Sequence, residues 1–520
     1  MLRKLIFLLI IVACTIRVNS AAKIMCLFPS PSRSQLVQAQ ALLKELASRG
    51  HQVTMVSSFP LSTPMKNYRD VYVSFENAHA KFVNELVNDN SGRSNFIKII
   101  PKLTSVLLET SNKTINSREF RKIMEEETFD VVIIGYLLND FIIGIGAHFK
   151  CPTVVWVTQV PSKIINDMIG NPTAIAAVPH IALGHDVKMN KFFNRVKNFL
   201  FNAGEMLLTQ YSDYRQKIYY DANFPSSKYP PFFDMKRNVS LVLTSHYFTQ
   251  SVPRPYIQNL IEVGGLQSKA VPSPLPKNIQ DWLDGASEHG AIYFSFGSNV
   301  KTTDIPPDKF AHIINALSKL KQRILWKFDG ENLKNKPSNV MIEKWLPQDD
   351  ILAHKNIKLF ITHGGFGSVT EAQFHGVPIV GIPLMGDQVF NLEVTKNAGW
   401  SKNLDLSDLT EEKFTEAIND VLNNPKYRET VQKISEIYRD RPVPPMELAV
   451  FWIEYIIRHK GAPHMRYQGV ELNILQSNSI DVVAFFIVLL YLVMKIAKII
   501  CRLVCTFLCN KIRGKKEKTN

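Results

Sequence analysis

The chain has 520 residues, room for two or three domains at about 150 residues each. Apolar residues make up 46% and charged residues 21%, which excludes a largely disordered chain, and 24 Gly with 28 Pro exclude collagen-like and linker-dominated ones. The formal net charge of +15 suits nucleic acid, an anionic membrane or an anionic ligand, and its placement decides among them.

The first twenty residues open with Arg3 and Lys4, continue as an apolar run over 5–13 and end in small residues at Ser20, Ala21 and Ala22. That is the pattern of a secretory signal peptide, 1–20, cleaved near Ser20; the run is too short to span a bilayer. At the other end, 482–494 is uninterrupted and apolar, and its extension to Ile500 gives a helix long enough to cross a membrane. The span is placed at 482–502, with Lys495 and Lys498 able to snorkel to headgroups, and a basic tail at 503–520. Basic flanks stay in the cytosol. The expectation is therefore a type I single-pass protein with a luminal body. Lys516 and Lys518 resemble the lysine signal of endoplasmic reticulum residents.

Residues 1–20 carry three positive charges and 495–520 a net of seven. About +5 then remains for the body, which is not a nucleic-acid binder by composition. Of six cysteines, only Cys26 and Cys151 fall in the body, and each abuts a strand-like run, so buried free thiols are expected and no zinc or disulfide framework. Cys501, Cys505 and Cys509 lie in or below the membrane segment. Asn112-Lys-Thr114 and Asn238-Val-Ser240 are glycosylation sequons, usable in a lumen.

In chain order, the body reads as two α/β units. A buried strand at 23–28 leads through a Pro/Ser loop into a helix carrying Leu36, Ala39, Leu42, Leu43 and Leu46, stopped at Arg49-Gly50. Further strands fall at 53–56, 131–134 and 153–157. A proline-rich stretch over 271–276 reads as a linker. The second unit has strands at 291–295, 324–326, 359–362 and 379–382, with helical stretches after Pro307 and over 369–374, and further helical patterns from Glu411 onward. Two Rossmann-like domains facing a cleft follow, 21–270 and 281–478, joined by 271–280.

The chemistry concentrates in 345–388. A strand ends in His363-Gly364-Gly365 and a helix begins at once, so backbone amides point at a site where glycines admit close approach; that suits a diphosphate. His363 and Ser368 add donors, and Glu371 is placed to accept from ribose hydroxyls. Trp345 offers a face for a base and Gln348 an amide for its edge. Asp387 and Gln388 suit sugar hydroxyls. On these residues alone the site takes a nucleotide of unspecified kind.

Taken whole, the segment resembles the signature of the UDP-glycosyltransferase family. The resemblance extends to Arg49-Gly50-His51, to Phe129-Asp130-Val131-Val132, to Phe294-Ser295-Phe296-Gly297-Ser298 and to the anchored basic tail. Pro179-His180 and the stretch around Met189 look like the arthropod branch. The family implies a GT-B fold, an α/β architecture with the donor on the C-terminal domain and a small lipophilic acceptor on the N-terminal one. By that resemblance Trp345 and Gln348 hold uracil, and Ser298, His363, Gly365 and Ser368 surround the diphosphate. Glu371 binds ribose, and Asp387 with Gln388 binds the sugar, glucose or glucuronic acid. No metal and no cofactor are expected, the UDP-sugar being a co-substrate; a homo-oligomer is left open.

Inverting transfer in this family uses a histidine base oriented by an aspartate. Their positions fall here on Gln35 and Gly135, and an amide is no base at neutral pH. Either another group acts, with Asp140 near the lost aspartate position and His51 and His148 as further histidines, or the acceptor arrives ionised. The remaining alternative is a membrane protein that binds a UDP-sugar without transferring it.

Overall fold

A computed structural model describes all residues except 1–20, 31, 75–95, 185–186, 299–304, 331–332, 334–335 and 517–520. The expected signal peptide and Lys518 lie outside the described residues. The chain divides into two compact units, Met1–Arg466 and Tyr467–Asn520.

The first unit contains two parallel sheets. Strands β1 (Lys23–Leu27), β2 (Gln52–Ser57), β3 (Tyr68–Tyr72), β4 (Val131–Gly135), β5 (Thr153–Val157), β6 (Leu241–Thr244) and β7 (Leu260–Glu262) form one, in the order β3-β2-β1-β4-β5-β6-β7. Strands β8 (Ala291–Ser295), β9 (Arg323–Lys327), β10 (Val340–Glu343), β11 (Ile357–Thr362), β12 (Ile379–Gly381) and β13 (Ser401–Asn403) form the other, in the order β10-β9-β8-β11-β12-β13. Both have the doubly wound order of Rossmann domains, whose ligands bind where the order reverses, beyond the carboxyl ends of the strands. Here the reversals lie between β1 and β4 and between β8 and β11.

The apolar runs become central strands because both faces of each sheet are covered. All five residues of β4, β5 and β8 are buried. The predicted first helix spans Arg33–Ser48 and buries Leu36, Ala39, Leu42, Leu43 and Leu46; Gly50 follows at φ +98°, a conformation open to glycine and closed to most other residues. Cys26 is fully buried and Cys151 partly so, and both are free thiols.

The lobes are not contiguous in sequence. The Pro445–Arg458 helix, grouped by sequence with the second lobe, packs Ala449, Val450, Ile453 and Ile456 into the first lobe's core beside Ile24, Leu36, Leu43 and Leu46. Its Glu454 also meets His51, which accepts a hydrogen bond from the Ala22 amide. His51 is thereby a strut between the chain's start and this returning helix.

The second unit holds the Ile480–Lys516 helix. Over Ile480–Lys511 it is long and apolar enough to cross a membrane, and it contains the predicted span.

Of the two sequons, Asn238 is exposed. Asn112 sits within the Phe96–Ile115 helix, where its Oδ1 accepts from Asn116 and Asn223 and Thr114 is fully buried. Both bonds use Oδ1, so the Asn112 Nδ2, the atom a glycan would occupy, lies outside that network.

Candidate functional site

The site in the second lobe is assembled by strand register. Ser295 pairs with Thr362 at the ends of β8 and β11, so the two loops that leave these strands in opposite directions meet. His363 lies at their junction, 8% exposed, with glycines on either side of its ring. A Cβ on Gly297 would come within 2.6 Å of the ring, and one on Gly365 within 2.6 Å of Nε2. Gly297 is also at φ +79°. Neither position has room for a side chain while the imidazole is there.

Burial pushes the His363 pKa down to about 4, helped by the nearby Lys327 charge and opposed by a hydrogen bond with the Ser295 backbone. The imidazole is therefore neutral at pH 7; its one N–H donates to the Ser295 backbone, and the ring lies beside the amides that open the Phe366–His375 helix. Ser298, next along the β8 loop, has a buried hydroxyl with no hydrogen-bond partner among the described residues.

Lys327 was not singled out by sequence. It ends β9 after Ile324-Leu325-Trp326, its ammonium donates to the Gly297 carbonyl at 2.6 Å, and it lies 5.6 Å from the Trp345 ring centroid. A buried lysine directly after the apolar run Ile324-Leu325-Trp326 was the available signal. It sets an ammonium beside the Gly297-Ser298 loop.

Trp345 is half exposed, at 51%, as a base platform requires. The Arg33 guanidinium from the first lobe lies 4.0 Å from its ring centroid, a cation–π contact across the cleft. Gln348 opens the Gln348–Leu352 helix and donates to both Ser368 Oγ (3.0 Å) and Glu371 Oε2 (2.6 Å). Three predicted ligands thus form one network. Burial, with the Asp349 charge next, raises the Glu371 pKa to about 7, against the Gln348 hydrogen bond.

Beyond β12, Asp387 precedes the Gln388–Asn397 helix and accepts from Asn391 at 2.7 Å; burial raises its pKa. Gln388 accepts through Oε1 from the Leu384 and Met385 amides, each at 2.8 Å. Its carbonyl shapes the loop, which leaves the NH2 group for a ligand. Asn391, also missed by sequence, donates to the Gly364 carbonyl at 3.1 Å and so ties this loop to the His-Gly-Gly turn.

Across the cleft, Gln35 sits in the first turn of the Arg33–Ser48 helix and accepts from Ser30 Oγ at 2.8 Å. Gly135 ends β4 next to β1, and a Cβ there would lie 2.3 Å from the Phe28 ring. Phe28, fully buried, fills the space a side chain at 135 would need. Asp140 is not free to replace the base: it is 2% exposed and ion-paired to Lys236 at 2.8 Å, which also pairs with Asp213. His148 is bonded at both nitrogens, to Tyr229 and the Met124 carbonyl.

The family pattern described as "UDP-glucoronosyl and UDP-glucosyl transferase" matches residues 25–519. The chain belongs to the UDP-glycosyltransferase family. UDP-glucosyltransferase 2 of Dactylopius coccus is 34% identical over 514 residues, 96% of this chain and 97% of that one. UDP-glucuronosyltransferase 1A1 of Mus musculus is 31% identical over 493 residues, covering 91% and 89%. Among solved structures, a UDP-glucose:anthocyanidin 3-O-glucosyltransferase in complex with UDP superposes with a TM-score of 0.54 at 16% identity, over 84% of this chain and 98% of that one. The two lobes are therefore those of a GT-B glycosyltransferase. As a UDP-glycosyltransferase, the protein moves a sugar from a UDP-sugar donor, and its apolar C-terminal helix fits a membrane-anchored member.

Proposed function

We propose that the protein is an inverting hexosyltransferase that conjugates glucose or glucuronic acid to a small lipophilic acceptor whose attacking oxygen is already ionised. The observation that carries this reading is an asymmetry between the two lobes. The donor side holds a connected set of polar groups, whereas Gln35 and Gly135, at the family's proton-accepting positions, are an amide bonded to Ser30 and a glycine covered by Phe28. In displacement at the anomeric carbon, the acceptor oxygen forms the new bond as the bond to UDP breaks and UDP leaves with the electron pair. A neutral alcohol needs a base for this step and a carboxylate or phenolate does not.

In this reading Trp345 and Gln348 hold uracil, and Ser298, His363, Gly365, Ser368 and Lys327 face the diphosphate. Glu371 takes ribose, and Asp387 and the Gln388 amide take the hexose. No cofactor takes part. The body lies in the lumen of the endoplasmic reticulum with Asn112 and Asn238 as its glycan sites, and the basic tail faces the cytosol.

A second reading, UDP-sugar binding without transfer, rests on the same two replaced positions. One experiment separates them: full-length protein is given radiolabelled UDP-glucose or UDP-glucuronate with alkyl alcohols, acidic phenols and carboxylic acids. Turnover restricted to the ionisable acceptors, and lost in His363→Ala, supports the proposal. Calorimetric UDP binding without turnover on any class favours the binder, and turnover on alkyl alcohols refutes the base-free step.

A further inference from the structure

The 32-residue Phe192–Asn223 helix has its polarity inverted. Its buried positions are Asn198, Asn202, Thr209, Gln216 and Tyr220, recurring at steps of four and seven along one face. Asn198 donates to the Ile175 and Val178 carbonyls and accepts from the His180 amide. Gln216 accepts from the Phe141 amide and donates to the Leu138 carbonyl. The helix is thus docked to the first lobe by amide hydrogen bonds, which satisfy the loops it covers.

Its apolar residues point the other way. Phe193, Val196, Leu200, Leu207, Tyr211 and Tyr214 recur at steps of three, four and seven and are all exposed, Phe193 at 75% and Leu207 at 64%. About six turns of outward apolar surface exceed the patch a solvent-facing helix normally carries. The helix's amino end is basic: Lys188, Lys191 and Lys197 are exposed, and no acidic residue occurs from 187 to 204.

We infer that this face is a membrane-docking surface that lies in the headgroup region of an anionic bilayer. An amphipathic helix with aromatic and aliphatic residues on one face and lysines at its end has the composition of an interfacial helix. Phe and Tyr on that face suit the boundary between acyl chains and headgroups, and the lysines meet anionic headgroups. The same chain carries an apolar helix of membrane-spanning length at Ile480–Lys511, so a bilayer is the extended apolar surface that every anchored copy meets. A second copy docked in parallel on this face would bring two basic ends together.

The test uses the full chain reconstituted in phosphatidylcholine–phosphatidylserine vesicles, with a specific protease site inserted in the 467–479 connection. After cleavage the body is expected to stay with the vesicles. Phe193→Ser/Leu200→Ser/Leu207→Ser should raise the released fraction at least about tenfold, since each side chain withdrawn from lipid costs more than a tenfold change in partitioning. Lys188→Glu/Lys191→Glu/Lys197→Glu should do the same without removing apolar surface, and both variants should still bind UDP-glucose. A wild-type body that floats free after cleavage overturns the inference, as does retention that neither variant changes. A released dimer that the serine variant makes monomeric assigns the face to a second copy and overturns it too.

Discussion

Glu371→Gln tests the donor site through its pH dependence. Burial holds the Glu371 carboxyl near pH 7, against an ordinary value of 4.5, which corresponds to roughly 3 kcal/mol against the charged form. The sign follows from a folded-state value that is raised. The stabilisation of the donor-free chain is fully present below the ordinary carboxylate range and is lost as pH rises through about 7. Ribose hydroxyls donate best to the ionised carboxylate, so donor binding should recover at high pH what the empty site loses. With a midpoint of about 7, the ionised fraction goes from about one tenth at pH 6 to about nine tenths at pH 8. UDP-glucose affinity should therefore rise close to tenfold across that interval. Isothermal titration with UDP-glucose is the assay, because its diphosphate diester does not titrate there, and His363, near 4, does not either. Glu371→Gln should bind more weakly at pH 8 and show a flat profile. A wild-type profile already flat between pH 6 and 8, or an unchanged slope in the glutamine variant, would refute the assignment.

Two further substitutions probe the rest of the cleft. Lys327→Met removes the ammonium that holds the Gly297 carbonyl at 2.6 Å and depresses the His363 pKa. UDP-glucose binding should weaken about tenfold, and His363 should protonate at a higher pH, closer to the ordinary histidine range, when followed by NMR; an unmoved His363 titration would count against the coupling. Gly135→Asp forces a side chain into the Phe28 ring, 2.3 Å from its Cβ position. It should lower stability by about 1–3 kcal/mol, read as a fall in Tm, and give no gain in transfer to alkyl alcohols even when combined with Gln35→His. A gain at unchanged Tm would show that the space over β4 is open.

The candidate site around His363 was readable from sequence because its parts are local. His363, Gly365, Ser368 and Glu371 lie within nine residues on one strand–turn–helix, and the spacing alone brings them to one helix end. Lys327 and Asn391 went unread because each reaches the site through strand order or through a hydrogen bond from a neighbouring helix to the His-Gly-Gly turn. The short strands β3, β6, β7, β10 and β13 also went unread. All but β6 are sheet-edge strands, and β3 and β13 carry polar residues, such as Lys402 and Asn403, that interrupt an apolar run; β6, Leu241–Thr244, is buried throughout but only four residues long.

By itself, the sequence determined the two α/β lobes, the apolar C-terminal helix and the strand–turn–helix that carries His363, Gly365, Ser368 and Glu371, since apolar period and motif spacing act along the chain. Tertiary structure alone decided that 445–458 completes the first lobe, because helix faces are assigned by what they pack against. It also decided that Phe28 occupies the space above Gly135 and that Asp140 is taken by Lys236. Those facts depend on neighbouring strands and on residues about a hundred positions apart, where packing and charge pairing, not local pattern, set the outcome.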